Sequence, residues 1–304
     1  MENIDNFQQV HAKIDKMSKY LNLEKYVQGD KNSLKQIRSY YRINGWAYKY
    51  FHSKEGFEHF GVSLNGKYSD KDFYYQPNTV SKHIQKGNLV LELGFGHAAN
   101  LLYLAKRHPD AQFVGVDLSP MKAKNAPQNI ITYQQDYSSI PQLADNSVDV
   151  VYGFETIVHN SDKEKVSKEI TRVLKPGGVV IIYDYALNAE LESFDPKTRL
   201  AIELLSKGGA SAMIESFEAL KAHFTSGGLV LESATDYGKN LLPDLKRLER
   251  KAAKIMDRPK LAKLMFTILP TQFVLNIILG YLGYDAFKTG SAMYPEWILR
   301  KPLA

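Results

Sequence analysis

Between Asn88 and Ala186 five short apolar runs, NLVLELG, AQFVGVDLS, NIITYQQD, SVDVVYGFE and GGVVIIYDYA, alternate with helical stretches such as AANLLYLAKRH and KEKVSKEITRVL. The runs are too short for buried helices, so they read as strands. Parallel neighbours need a crossover, and a helix supplies it, so this alternation demands a mostly parallel sheet covered on both faces. A predicted helix from Met213 to Thr225, a strand LVLESATDYG and a terminal apolar segment AMYPEWILRKP complete the pattern. The expectation is an α/β, Rossmann-like core over 83–238, closed by a final core strand over 289–304. Two additions flank it: a helical and aromatic cap over 1–82 and a helical apolar insertion over 239–288.

The first strand runs into a turn carrying Gly94 and Gly96 and then into a helix. Glycines let a ligand approach the backbone, and a helix start presents free N–H groups. Asp117, ending the second strand, can accept hydrogen bonds from ribose hydroxyls. Neither feature separates cofactor classes, and the turn also fits a loose dinucleotide fingerprint, which leaves a nicotinamide oxidoreductase as an alternative. Further on, TYQQDYSSIP, LADNSVDVVYGFE and VLKPGGVVIIYD follow in order. This series resembles class I S-adenosylmethionine-dependent methyltransferases from the first strand to the fifth. The resemblance implies that fold and that cofactor. By it, Glu92, Gly94 and Gly96 line the methionine portion, Asp117 binds the ribose, Asp136 with Tyr137 holds the adenine, and Leu118 is a further cofactor contact. Phe154 or Glu155 then sits beside the sulfonium. The plainer reading makes Asp136 a helix cap and Tyr137 a surface residue. Ala98 stands where a third glycine is common in the family and is expected to add only a methyl group.

Glu155 and His159, four residues apart in GFETIVHNSD, resemble the acid-to-histidine element of sterol C-methyltransferases and tocopherol methyltransferases. The segment from Thr198 to Glu232 and the terminus GSAMYPEWILRKP are similar to the sterol group as well, so the likeness runs over roughly 88–304. His59 and Gly61 resemble the His-x-Gly of the tocopherol type. The implied acceptor is a small hydrophobic molecule, with methylation at carbon of a sterol, terpenoid or prenyl-like lipid. Glu155 and His159 are then the candidate bases, with Asp184 behind them. Tyr41, Trp46, Tyr50, His52 and Tyr185 are the predicted acceptor contacts. Aromatic faces stabilise a nearby positive charge by roughly 0.5–2 kcal/mol each without trapping it, although such rings also simply pack. The alternatives are O- or N-methylation of a phenol, quinone or amine, and a regulatory protein that binds the cofactor without turnover.

The chain has no cysteine, which excludes disulfides, thiolate metal sites and cysteine nucleophiles, and no metal site is predicted. The first twenty residues mix charges and lack an apolar signal core, so a cytoplasmic location is expected. The net charge of +6 is spread along the whole length. With no Asn/Asp-Pro-Pro-Tyr element and no concentrated basic face, a nucleic-acid substrate is not expected. In the insertion Lys246, Arg247, Arg250, Lys251 and Lys254 are interleaved with Leu245, Leu248 and Ile255, ahead of an uncharged run from Leu264 to Tyr284. That run has the length of a membrane span but contains Pro270, Gln272, Asn276, Gly280 and Gly283. We therefore expect the insertion to roof the acceptor pocket and 246–284 to make peripheral contact with an anionic membrane. The plain alternative is an ordinary packed subdomain.

Overall fold

The computed structural model describes residues 7–28, 38, 39, 43, 52–121 and 126–303. Five parallel strands, β1 (Leu89–Leu93), β2 (Gln112–Asp117), β3 (Ile130–Gln134), β4 (Val148–Phe154) and β5 (Leu174–Tyr183), form the body of one sheet. Two more, β6 (Val230–Asp236) and β7 (Pro295–Arg300), extend it, giving the order β3-β2-β1-β4-β5-β7-β6 with β7 antiparallel to both neighbours. This is the mostly parallel α/β sheet that the alternating runs predict. Residues of the central strands alternate between two cores, which is why both faces of these strands are largely apolar. Val150, Tyr152, Val179 and Ile181 join one cluster, while Val151, Val180, Ile182 and Trp297 join the other.

Among the helices that position the site, α1 (Gln8–Ser18) belongs to the N-terminal segment and α2 (Ala99–Arg107) follows the glycine turn. Three others begin at a capping side chain: α3 (Lys163–Val173) at Asp162, α4 (Pro196–Gly208) at Asp195 and α5 (Phe217–Ser226) at Ser216. Helix α5 therefore starts later than the predicted Met213. The Ser216 hydroxyl accepts from the Ala219 N–H at 3.1 Å, and the Ser216 backbone bridges to Leu187, so the residues before it run extended. Trp297 stacks on Phe217 with ring centroids 4.2 Å apart and fixes α5 to the sheet.

Residues 238–289 fold as α6 (Gly238–Met256), α7 (Pro259–Ile268) and α8 (Thr271–Thr289). Pro270 caps α8 and separates it from α7, so the apolar run is divided. Among the described residues no helix is long and apolar enough to cross a membrane. Two buried ionic contacts hold this layer down. Lys13 Nζ lies 2.5 Å from both Glu249 Oε1 and Asp285 Oδ2, tying α1 to α6 and α8. Asp244 is almost fully buried, receives the Gly61 N–H at 3.2 Å and pairs with Arg247 at 2.6 Å. A buried carboxylate requires such partners. Arg247 also lies over the Tyr68 ring, and Lys246 pairs with Glu249 and covers Tyr284. These two basic residues are thus engaged within the molecule.

Candidate functional site

A cavity of about 790 Å³ opens where β1, β2, β3, β4 and β5 end. Crevices beyond the carboxyl ends of parallel strands are where ligands bind such sheets. One part of its wall is polar and carries Gly94, Gly96, Asp117, Leu118, Asp136 and Tyr137. Another part is aliphatic and aromatic: Leu248, Ala252 and Ile255 of α6, with Phe273, Ile277 and Phe287 of α8. Phe154, Glu155, His159 and Tyr185 line the same space. Its volume is toward the upper end of the ~300–1,000 Å³ typical of small-molecule sites.

The glycine turn is built for close approach. Gly94 and Gly96 have φ of +66° and +50°, a region that favours glycine. A Cβ at Gly94 would overlap the Thr156 hydroxyl, and one at Gly96 would overlap the Glu58 carboxylate. Ala98 also has positive φ, +63°, so its cost relative to glycine is backbone strain and not the added methyl alone. Asp117 Oδ2 accepts the Gly96 N–H at 2.9 Å and Oδ1 the Ser119 N–H at 2.6 Å. Each carboxylate oxygen keeps lone-pair capacity for a further donor.

Glu92 differs from expectation. It does not reach the cavity wall but lies buried beneath the turn, receiving the Tyr152 hydroxyl at 2.8 Å. Burial pushes its carboxyl up to about 8. Tyr137 is no surface residue: it is buried, and its hydroxyl donates to the Thr156 carbonyl at 2.7 Å. Asp136 Oδ1 accepts the Ser138 N–H at 2.8 Å, a local turn contact made from the cavity wall.

Glu155 directly follows β4 in a left-handed conformation, φ +51°. Strain of this kind in a non-glycine residue costs on the order of 1–3 kcal/mol and persists only where its surroundings enforce it. Here three donors converge on the carboxyl. The Phe60 N–H (2.6 Å) and the Tyr294 hydroxyl (2.9 Å) reach Oε1, and the Tyr185 hydroxyl reaches Oε2. Burial outweighs these bonds and raises Glu155 to about 8. His159 does not share a helix with it but closes a short 3-10 turn. Its Nδ1 lies 3.1 Å from the Ala210 carbonyl, and burial lowers its pKa, favouring the neutral ring. Asp184, raised to about 6 mainly by burial, accepts the Val158 and Tyr185 N–H groups.

Of the predicted acceptor contacts, Tyr185 and His52 line the cavity, although the His52 ring is mostly buried and its Nε2 contacts the His59 carbonyl at 2.9 Å. Tyr41, Trp46 and Tyr50 lie outside the described residues. Glu58, Thr156 and Tyr294 were not expected at the site. Glu58 and Tyr294 reach it through tertiary contacts that leave no local periodicity to read, whereas Thr156 directly follows Glu155.

Comparison with known proteins agrees with the fold. Residues 91–182 match the family model described as a methyltransferase domain. The sterol 24-C-methyltransferase of Aspergillus fumigatus is 32% identical over 156 residues, covering 47% of this chain and 40% of that protein. Phosphoethanolamine N-methyltransferase 1 of Arabidopsis thaliana is 28% identical over 205 residues, covering 64% and 39%. The chain thus spans about two fifths of the length of these relatives. The crystal structure of the cyclase SpnF superimposes with a TM-score of 0.66 at 17% identity, covering 91% of this chain and 98% of that one.

Proposed function

We propose that this chain, which carries a methyltransferase domain on a class I sheet, transfers a methyl group from S-adenosylmethionine to a carbon of a small lipophilic acceptor of the sterol, terpenoid or prenyl type. The observation that supports this most is the single cavity whose wall joins a nucleotide-type floor to an apolar roof, with Glu155 on the same surface. The floor fits the cofactor. Gly94 and Gly96 leave the backbone bare, Asp117 retains acceptor capacity for hydroxyls, and the carboxyls of Glu58, Asp117 and Glu155 suit a cationic ligand.

When bound, the cofactor supplies an electrophilic methyl on a cationic sulfur. Leu248, Ala252, Ile255 and Ile277 exclude water from an apolar acceptor and hold it without offering a nucleophile. Phe154, Tyr185 and Phe287 present rings that tolerate positive charge on the acceptor. If an alkene carbon takes the methyl, the acceptor becomes positive and must lose a proton. Glu155 is the group we assign to receive it, at a carboxylate oxygen. An acid with a value of about 8 is a competent base near neutrality, and a cation beside it favours its ionised form. Tyr185 and Tyr294 hold the carboxyl in place, while His159, tethered to Ala210, orients the acceptor. Mass spectrometry of products from a panel of sterols, prenyl diphosphates, quinones and amines tests the reading. A mass gain of one methyl on the first two classes supports it, and a gain on amines alone overturns the carbon assignment.

We also propose that α7 seats on an anionic lipid surface and feeds the roof. Leu264 and Ile268 are 60% and 69% exposed, Lys260 and Lys263 stand on the same helix, and no acidic residue occurs from Arg258 to Tyr284. Lysine beside exposed aliphatic surface complements anionic headgroups over an acyl layer. The chain should float with vesicles containing phosphatidylglycerol at low salt, and Leu264→Glu with Ile268→Glu should abolish this. Flotation that is absent, or unaffected by the pair, rejects the contact.

A further inference from the structure

The two oxygens of Glu155 are held differently. Its Oε1 receives the Phe60 N–H at 2.6 Å and the Tyr294 hydroxyl at 2.9 Å, while its Oε2 receives the Tyr185 hydroxyl alone. Tyr185 lines the cavity, whereas Tyr294 and Gln76 have no exposed surface. Gln76, on the short helix Tyr75–Ser81, donates through one nitrogen to the Phe60 carbonyl at 2.6 Å and to the Tyr294 oxygen at 3.3 Å. A carbonyl only accepts, so Phe60 fixes which end of the amide faces it, and the second hydrogen on the same nitrogen is left for Tyr294. With its oxygen receiving Gln76, the Tyr294 hydroxyl directs its own proton to Glu155. The amide oxygen of Gln76 is buried without a partner among the described residues, which leaves donation as the use of this side chain. Phe60, Gln76, Tyr294 and Glu155 thus close a ring in which each proton has one direction. The other titratable groups acting on Glu155 are Asp184, whose field opposes its ionisation, and His159, which bonds its backbone.

Resting on the reading of Glu155 as the base, we propose that Gln76 is a positioning residue that reserves Oε2, the oxygen beside Tyr185, for the proton taken from the acceptor. Oε1 is closed to it. The Phe60 N–H is fixed in the backbone, and Tyr294 could accept an O–H from Oε1 only by turning its own proton away from the carboxyl toward which Gln76 directs it. Oε2 meets no such obstacle. The C–H bond beside the positive carbon breaks, its electron pair fills the cation, and the proton goes to Oε2. The Tyr185 hydroxyl then rotates, its oxygen accepting the new O–H while its own proton turns to the cavity. A phenol can exchange these roles because it both donates and accepts. Glu155 thereby alternates between two states that differ by one rotating hydroxyl, with Oε1 an acceptor of two bonds in both. Gln76 does not line the cavity and acts only through Tyr294 and Phe60.

Infrared difference spectra of the full chain, recorded across the titration of Glu155 and assigned by subtracting the Glu155→Gln version of each chain, read the protonated oxygen without turnover. In the neutral carboxyl the remaining C=O is Oε1, and each donor it accepts lowers its stretching frequency. Tyr294→Phe should therefore move the band to higher frequency. Tyr185→Phe, which meets only the O–H oxygen, should leave it in place. Gln76→Met keeps the length of the side chain without its donors; it should raise the band in the parent and add nothing to Tyr294→Phe. Gln76→Glu, which in its neutral form keeps a donor for Phe60 but presents an acceptor to Tyr294, carries the same expectation should Gln76→Met not fold. A band moved by Tyr185→Phe and not by Tyr294→Phe puts the proton on Oε1. Equal shifts from the Gln76 variants with and without the Tyr294 hydroxyl make Gln76 a packing residue, and either result overturns the proposal. Parental turnover of a confirmed acceptor by Glu155→Gln ends the base reading, and the proposal with it, whatever the spectra show.

Discussion

Replacing Glu155 by Gln isolates one half-buried carboxyl and predicts a stability difference with a defined pH dependence. In the fold Glu155 is held near 8, chiefly by burial, against an ordinary value of 4.5. A group raised on folding binds its proton more tightly in the native state. Its contribution is fully present below the ordinary value and is lost as pH climbs through the folded value. The parent should therefore lose stability between about pH 4.5 and about pH 8 and level off above. At about 1.4 kcal/mol per tenfold change in proton affinity, the loss has an upper bound near 5 kcal/mol. Glu155 borders a cavity that water can enter, and such polar surroundings reduce the realised penalty, so about 2 kcal/mol is expected. Gln at this position does not titrate. Denaturation in urea from about pH 5 to about pH 9 should show the Gln chain gaining on the parent by that amount and then running parallel to it. Glu92 and Asp184 are common to both chains and cancel to first order. A difference that stays constant across the range would refute the claim that burial of Glu155 is uncompensated.

The same carboxyl should respond to the cofactor. Near pH 7 a group with a value of about 8 is about nine-tenths protonated, so S-adenosylmethionine should expel roughly half a proton or more, and S-adenosylhomocysteine, lacking the sulfonium, distinctly less. Calorimetry in buffers of different ionisation enthalpy reads this, and identical proton counts for the two ligands would sink it. Asp117→Ala should weaken both ligands by ~10-fold or more, since it removes a hydroxyl acceptor and frees the Gly96 and Ser119 N–H groups. Unchanged affinity in a titration would contradict the ribose assignment. Ile277→Trp should crowd the roof, cutting acceptor turnover at least ~10-fold while S-adenosylhomocysteine affinity stays within about twofold; overpacking of this kind costs ~1–3 kcal/mol. Parallel losses of both would show that roof and floor are not separable.

The sheet was readable because its central strands are buried on both faces, so that Val179–Tyr183 is a continuous apolar run and Leu89–Leu93 is interrupted only by Glu92. The position of Asp117 on the cavity wall follows for a related reason, since it stands at the end of such a run beside the glycine turn. What escaped depends on contacts between distant segments. Tyr294 reaches Glu155 across 139 residues, and Glu58 meets Gly96 from a loop without periodicity. The basic stripe on α6 looked uniform in sequence. Asp244, three residues before Arg247, becomes a buried anchor only because the Gly61 N–H closes over it, and this turns Arg247 inward. Glu92 was placed correctly along the strand but on the wrong side of the turn, since strand periodicity does not say whether a polar residue faces a ligand or the tyrosine beneath it.

The cavity's two-part wall has an evolutionary consequence. Its floor is constrained at the level of single atoms: any side chain at Gly94 or Gly96 collides with Thr156 or Glu58, and Asp117 is tied to the turn through Oδ2 and to Ser119 through Oδ1. Drift there would remove the site proposed for the cofactor. The roof is an assembly of aliphatic residues on α6 and α8, where exchanges that conserve volume cost little. Lineages carrying this architecture can therefore explore new acceptors by repainting the roof, one neutral exchange at a time, while purifying selection holds the floor. Proteins of this shape should accordingly diverge first in what they modify and last in what they modify it with.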